Sequence, residues 1–321
     1  MRDLSVVVFG GTGFIGSHLV NRLADEGARV LVPTRRAERG KDLTCLPGVD
    51  VIEANIHDDA VLRRLVAGRD AAINLVGVLH SRRGLPYGPE FQRAHVELPR
   101  RIVDACALEQ VPRYLHMSAL GADRDGPSMY QRSKADGEMA ARGHPEVAAT
   151  IFRPSVVFGP GDHFLNMFAA MQRWLPVVPL ACANAAFEPI YVGDVAAAFA
   201  HVLHDPKSRH LVYQLGGPQM YTLAELVRLA GRYAGHERPI IELPRSLGEL
   251  QALFFEMLPG QPLLSRDNLD SMKVDNVVDP AIRDLTAATL GIKLTAIEAV
   301  APHYLTRYHD RLDQFRARAG R

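Results

Sequence analysis

The stretch SVVVFGGTGFIGSHL, Ser5 to Leu19, runs from a β-branched, strand-forming segment through glycines at Gly10, Gly13 and Gly16 into the start of a helical pattern. A strand that hands over to a helix this abruptly needs residues without a Cβ. The backbone must turn tightly, approach closely whatever lies over the turn, and let the helix pack on the strand. A helix N-terminus arriving there offers unpaired amides and positive potential, the features that hold a pyrophosphate. The plainer reading is a glycine-rich turn with no ligand. The G-x-x-G-x-x-G spacing outweighs it if this is the first strand–helix junction of a parallel α/β sheet.

The rest of the first half meets that condition. SVVVFG is followed by a helix around SHLVNRLADEG, then by ARVLVPT; VDVIEAN by DDAVLRRLVAG; DAAINLVG by FQRAHVELPRRIVDACALEQ; PRYLHMSAL by the segment containing Tyr130; and ATIFRPSVVFG closes the series. Repeated strand–helix alternation implies parallel strands, because each parallel connection needs a crossover and a helix supplies it. The expectation is a Rossmann-type, doubly wound α/β sheet. After Gly159 the chain changes character, with more proline and irregular stretches such as RWLPVVPLACANAAFEPIYVGD. We therefore expect a dinucleotide-binding domain over 1–160, with later segments returning to it, and a smaller, mostly helical substrate or partner region over 161–321. Thr222 with Glu225 spells a capping box at one helix start in that region.

Composition narrows the function. At 321 residues, 47% hydrophobic and 23% charged, the chain reads as an ordinary globular protein, and a net charge of +1 with interleaved signs speaks against nucleic acid as a partner. Cys45, Cys106 and Cys182 are scattered and odd in number, so they read as reduced core thiols rather than disulfides or metal ligands. No export signal and no apolar run long enough to span a membrane is visible, which gives a cytoplasmic expectation. No metal site is expected.

The end of the second strand, VLVPTRRAER, bears on which dinucleotide binds. NAD-preferring sites place a carboxylate there for the ribose 2′-hydroxyl. Thr34, Arg35 and Arg36 stand here instead, a hydroxyl and two guanidinium groups that would attract a 2′-phosphate, so NADP(H) is favoured over NAD(H). A second stretch, MYQRSKADGE from Met129 to Glu138, sets Tyr130 and Lys134 four residues apart, on one face of a helix. Alone, that pair is ambiguous.

In order along the chain, GGTGFIG, YQRSK, RPSVVFGPGD and IYVGDVAAA resemble the extended short-chain dehydrogenases/reductases. RPSVVFGPGDHFLN, PIYVGDVA and LPGQPLLSRDNLDSMKVDN resemble more narrowly the atypical branch that includes accessory subunit nine of mitochondrial complex I and its bacterial relatives. The resemblance implies a cofactor site built from Gly10, Thr12, Gly13, Phe14, Ile15 and Gly16; Thr34, Arg35 and Arg36; Asn55 and Ile56; Leu75, Val76 and Gly77; Met117 and Ser118; Tyr130 and Lys134; and Arg153, Pro154, Ser155 and Val156, where backbone meets the nicotinamide carboxamide. It implies Tyr130 as proton donor at a carbonyl receiving hydride, with Lys134 stabilising the phenolate and holding the nicotinamide ribose, and Ser118 as the candidate hydroxyl.

The pattern is also departed from. Leu120 stands where active relatives carry the catalytic serine or threonine, His95 where many have asparagine, and Asn55 where an aspartate is usual, although its amide oxygen can still accept from adenine. Asp194 reads as a helix N-cap. The apolar stretches WLPVVPL and LQALFFEMLPGQPLL read first as core, and otherwise as a wall for a lipophilic ligand or a surface for membrane or partner protein. Two functions follow. One is an oxidoreductase reducing a carbonyl of a quinone- or isoprenoid-like substrate. The other is a non-catalytic NADPH-binding accessory or assembly protein linked to respiratory complex I or to quinone biosynthesis, peripheral to the inner membrane. Nucleotide-sugar epimerases and dehydratases are a third possibility, disfavoured because they hold NAD.

Overall fold

The computed structural model describes residues 4–260, 262–282 and 285–306. The chain runs β1 (Ser5–Phe9), α1 (Phe14–Asp25), β2 (Arg29–Thr34), β3 (Val49–Glu53), α2 (Asp59–Val66) and β4 (Ala71–Asn74). A single helical turn, α3 (Pro89–Phe91), then leads through a π-helical segment (Gln92–Glu97) into α4 (Leu98–Leu108), followed by β5 (Arg113–Met117), α5 (Met129–Ala141) and β6 (Ala148–Pro154). The next elements are β7 (Val157–Phe158), α6 (Phe164–Trp174), β8 (Val178–Ala181), β9 (Ala186–Phe187), β10 (Ile190–Tyr191), α7 (Val192–His204) and β11 (Val212–Leu215). The chain continues with β12 (Tyr221–Thr222), α8 (Leu223–Tyr233), β13 (Ile240–Leu243), α9 (Arg245–Met257), α10 (Arg266–Ser271) and α11 (Ile297–Leu305).

These elements form two compact units. The first gathers, among the described residues, three stretches that lie within 4–154, 192–216 and 278–293. Its seven-stranded sheet has the order β11-β6-β5-β4-β1-β2-β3, and each of the paired neighbours runs parallel. Covering both faces explains why β1 is buried at every position and why its sequence does not alternate. Val7 and Phe9 pack with Leu62, Leu65, Ile102, Val103 and Tyr114, while α1 packs with α7 and Phe152 of β6 stacks on Phe199 of α7 at 4.0 Å. Strand order reverses between β1 and β4, the switch point where open α/β sheets bind ligands beyond the strand ends.

The second unit comprises, among the described residues, 155–191, 217–277 and 294–306. Phe158, Leu165, Phe168, Val178, Leu226, Val227 and Ile297 form its core, and β8 pairs parallel with β13. The Thr222 capping box is present, with Thr222 Oγ1 accepting from Glu225 N at 3.2 Å and Glu225 Oε2 accepting from Thr222 N at 2.7 Å. Helix α9 rests Gly248 and Ala252 on Ala181 and Leu269.

Four expectations change. ATIFRPSVVFG is not one strand: it divides into β6 and β7, which lie in different sheets. Asp194 is the third residue of α7 rather than its cap, a buried first-turn carboxylate that complements the helix dipole. Cys45 is exposed, so only Cys106 is a core thiol. The core reading also fails for much of the two apolar stretches. Val178 and Leu180 are buried, yet Trp174 is 81% exposed, as are Leu250 at 63%, Phe254 at 60% and Met257 at 78%. Gln261, within the second stretch, lies outside the described residues. Among the described residues no helix is long and apolar enough to cross a membrane.

Candidate active site

The phosphate turn follows β1. Gly10 has φ +81°, the left-handed region that favours glycine, and its carbonyl accepts from Gly13 N at 3.0 Å. A Cβ on Gly16 would lie 2.2 Å from the Gly10 oxygen, so α1 reaches the strand only because that atom is missing. Gly13 stands at the helix N-cap in extended conformation, and no side chain caps the turn that begins with Phe14 and Ile15. The amides that serine or aspartate would otherwise occupy remain for an anion. Thr12 is half-buried beside them. Gly10 abuts Leu75 and Val76 across the switch point: Leu75 N donates to Phe9 O at 2.9 Å, and Val76 N donates to Asn74 Oδ1 at 3.1 Å. The turn therefore fits a nucleotide pyrophosphate.

At the second strand end Thr34 is buried, and its hydroxyl donates to Arg36 O at 3.2 Å. That hydroxyl is engaged in its own loop, whereas Arg35 and Arg36 are exposed. Glu53, register partner of Thr34, accepts from Ala37 N at 2.9 Å. Asn55 Oδ1 accepts from His57 N at 3.1 Å, leaving its second lone pair for another donor, and Ile56 packs on the core.

Helix α5 starts with a buried capping box in which Ser128 Oγ accepts from Gln131 N at 3.1 Å and Gln131 Oε1 accepts from Ser128 N at 3.2 Å. This fixes the first turn and with it the half-buried Tyr130. Lys134 is buried; its Nζ donates to Met117 O at 3.2 Å and lies 5.7 Å from the Tyr130 ring centre. Burial lowers its pKa to about 8, against the pull of Glu138. Gly77 faces the same spot: a Cβ there would be 3.4 Å from Lys134 Nζ and 3.7 Å from His95 Nε2. The structure thus brings Tyr130, Lys134, Gly77 and Met117 together.

His95 is buried between these groups. Its Nε2 accepts from Val78 N at 3.1 Å, so Nδ1 carries the proton and donates to Ser133 Oγ at 2.8 Å, and Ser133 in turn donates to Tyr130 O at 2.8 Å. Burial, then Lys134, holds His95 well below the ordinary histidine range. It is neutral, with both nitrogens engaged, and fastens the β4 loop to α5.

Ser118 is buried as well, but its hydroxyl donates to Glu138 Oε1 at 2.6 Å. Glu138 also takes both prongs of Arg153, Nε at 2.7 Å and Nη2 at 2.8 Å. This bidentate pair ties α5 to β6, beside Pro154, whose carbonyl accepts from Leu120 N at 2.9 Å. Ser155 and Val156 belong to the second unit, where Asn276 Oδ1 accepts from Ser155 Oγ at 2.6 Å and from Val156 N at 3.1 Å. The sequence alone gives Glu138 no role, although its place four residues beyond Lys134 puts it on the same helix face.

The sequence matches the NAD dependent epimerase/dehydratase family over residues 6–216. This chain belongs to that family. Among curated members it is 30% identical to the mitochondrial NADH dehydrogenase (ubiquinone) 1 alpha subcomplex subunit 9 of Mus musculus, over 94% of this chain and 81% of that protein. It is also 30% identical to the ceramide reductase of Caulobacter vibrioides, over 74% of this chain and 73% of that one. In fold, this family member superposes on the dTDP-glucose 4,6-dehydratase of Streptomyces venezuelae, solved with NAD, with a TM-score of 0.73 at 18% identity over 98% of each chain. The family binds nicotinamide dinucleotides, and its extended short-chain dehydrogenase/reductase fold is the one described above.

Proposed function

We propose that this protein holds NADPH and reduces a carbonyl of a lipophilic, quinone- or isoprenoid-like substrate. The observation that carries this reading is Lys134: an ammonium buried against Met117 O and beside the Tyr130 ring, on the helix face four residues after that tyrosine. A buried cation with no salt bridge among the described residues is costly to keep, and a role at Tyr130 accounts for it. When bound, the reduced nicotinamide supplies the hydride. Tyr130 supplies the proton to the carbonyl oxygen, giving an alcohol, and the Lys134 charge lowers the cost of the phenolate left behind. Arg35 and Arg36 support NADPH over NADH. The likeness to ceramide reductase supports a lipophilic substrate. An assay of NADPH oxidation over a panel of long-chain ketones and quinones, with Tyr130→Phe as control, tests it; no turnover above that control with any substrate overturns it.

One observation favours a second reading, a nucleotide-binding accessory protein of the respiratory chain without turnover. Ser118 gives its hydroxyl to Glu138 and Leu120 stands where a second hydroxyl is expected, so neither position offers a hydroxyl to a carbonyl oxygen. The likeness to a complex I subunit and the exposed apolar face of α9 support it, the latter as a surface peripheral to a membrane or partner. Pull-down of tagged protein from its own membranes, with and without Leu250→Glu and Phe254→Glu, tests this reading; equal recovery of respiratory subunits from all three removes it.

A further inference from the structure

Helix α9 reverses the pattern of an ordinary surface helix. At 3.6 residues per turn, Leu253, Ser246, Met257, Leu250, Phe254 and Leu247 fall within about a third of its circumference, and the five apolar members of that arc are exposed. The arc carries no charge. Arg245, Glu249 and Glu256 gather instead on the flank next to the buried Gly248 and Ala252, and each is paired within the chain. Arg245 meets Glu249 and Asp270, both at 3.0 Å, and Glu256 meets Arg266 at 2.7 Å. Asp270 also takes Lys273 at 2.8 Å, so the cations and anions of this cluster balance. The apolar face extends beyond the helix. A Cβ on Gly248 would lie 2.5 Å from Ala181 Cβ, at the end of β8, and Gln251 Nε2 is 3.5 Å from Pro179 O. Helix α9 thus runs back along β8, and its last turns, with Phe254, Met257 and then Leu258, come level with the start of that strand. There Trp174, Leu175 and Val177 are exposed, with the Arg173 guanidinium 5.7 Å from the Trp174 ring.

We propose that this face seats the protein on a lipid bilayer, with α9 lying in the plane of the interface and Trp174 entering it. The proposal rests on neither functional reading above and holds with or without turnover. So many exposed apolar side chains on one surface mark something that covers them. The charge pattern selects the cover. A protein partner, or a second copy of this chain, is recognised at the rim of an apolar patch by charges and hydrogen bonds, and the charges beside α9 are already satisfied within the chain. A bilayer asks for none. It accepts an uncharged arc flanked by balanced ion pairs, with tryptophan and arginine at the level of the headgroups. The 13 residues of α9 span roughly 20 Å, short of the about 30 Å hydrocarbon core, so the helix lies along the surface rather than across it. Attachment of this kind is driven by apolar burial, which makes it indifferent to salt and to anionic lipid.

Trp174 is the only tryptophan in the chain, so its fluorescence reports on this face alone. With vesicles of phosphatidylcholine, or of phosphatidylcholine mixed with phosphatidylglycerol, the purified protein should co-sediment, its emission should shift to the blue, and lipids brominated near the headgroup end of the acyl chain should quench it. Salt at about 1 M, which screens exposed charges within about 3 Å, should leave the binding in place. Leu250→Glu and Phe254→Glu should each weaken it by about tenfold, the scale of one large apolar side chain returned to water. Leu108→Glu, a charge placed on an exposed leucine of α4, should leave it unchanged, and all three variants should keep the melting temperature of the unaltered protein. Absence of co-sedimentation and blue shift overturns the proposal, as does equal weakening in Leu108→Glu, or binding confined to anionic vesicles and removed by salt. A blue shift that grows with protein concentration in the absence of lipid also overturns it and gives the face to a second copy. Only protein and lipid are present, so these outcomes are independent of whether respiratory subunits are recovered from membranes.

Discussion

Lys134 turns a question of mechanism into one of titration. Its folded pKa of about 8 lies below the ordinary 10.5, so between these values the unfolded chain binds more protons than the folded one. Stability therefore rises with pH across that window, by up to about 1.4 kcal/mol per pH unit for this one group. Denaturant melts from pH 8 to 9.5 should show the rise, and Lys134→Met should remove it. Tyr87, pushed up to about 12 by burial and Asp136, works in the opposite sense only above its ordinary 10.0. Tyr130→Phe should leave NADPH affinity within about twofold and cut turnover by roughly 10²–10⁴, the range for losing a general acid; a variant with full turnover would remove Tyr130 from the chemistry. At this scale the sequence was legible in part. The Tyr130–Lys134 spacing could be read because a helix makes positions four apart neighbours. The engagement of the Thr34 and Ser118 hydroxyls could not, since Arg36 O and Glu138 are partners that only the folded loop and helix bring near.

The segment FQRAHVELPRRIV reads as one helix, but the structure winds it as a π turn over Gln92–Glu97 before α4. Pro99 supplies the reason. It has no N–H to give the carbonyl four residues earlier, that of His95, and the backbone widens there. The released His95 carbonyl points at α5, where a Cβ on Gly137 would lie only 2.1 Å from it. Gly137→Ala is accordingly expected to push α5 outward, at a cost of about 1–3 kcal/mol or more, and to weaken nucleotide binding because Tyr130 and Lys134 ride on that helix. Melting and NADPH titration of the same variant test both parts, and an unchanged melting temperature with unchanged affinity would refute the contact. Helices α1 and α2 are legible because burial on one face dictates their pattern, and β1 to β6 because short apolar runs stand out between helical segments. The π turn is not, since it depends on one missing hydrogen bond and on a glycine some forty residues away in sequence.

For the molecule as a whole, a ligand that binds only the folded state stabilises it by mass action, by about 2.7 kcal/mol at a hundredfold excess over Kd. Saturating NADPH should raise the melting temperature by more than NADH at the same concentration; equal shifts would speak against the 2′-phosphate reading. The sheet was legible as a class from its alternating segments, yet not its last strand. β11 is four residues long and reaches β6 only after an excursion into the second unit, and nothing in VYQL announces its partner. That excursion has a consequence for the newborn chain. β6 leaves the ribosome some sixty residues ahead of β11, so at roughly 5–20 residues per second its outer edge waits about 3–12 seconds for a neighbour. An open strand edge is a template for wrong pairings. Nascent chains arrested near residue 190 should therefore be cut by protease within β6 and captured by holding chaperones, whereas chains arrested beyond residue 300 should resist both.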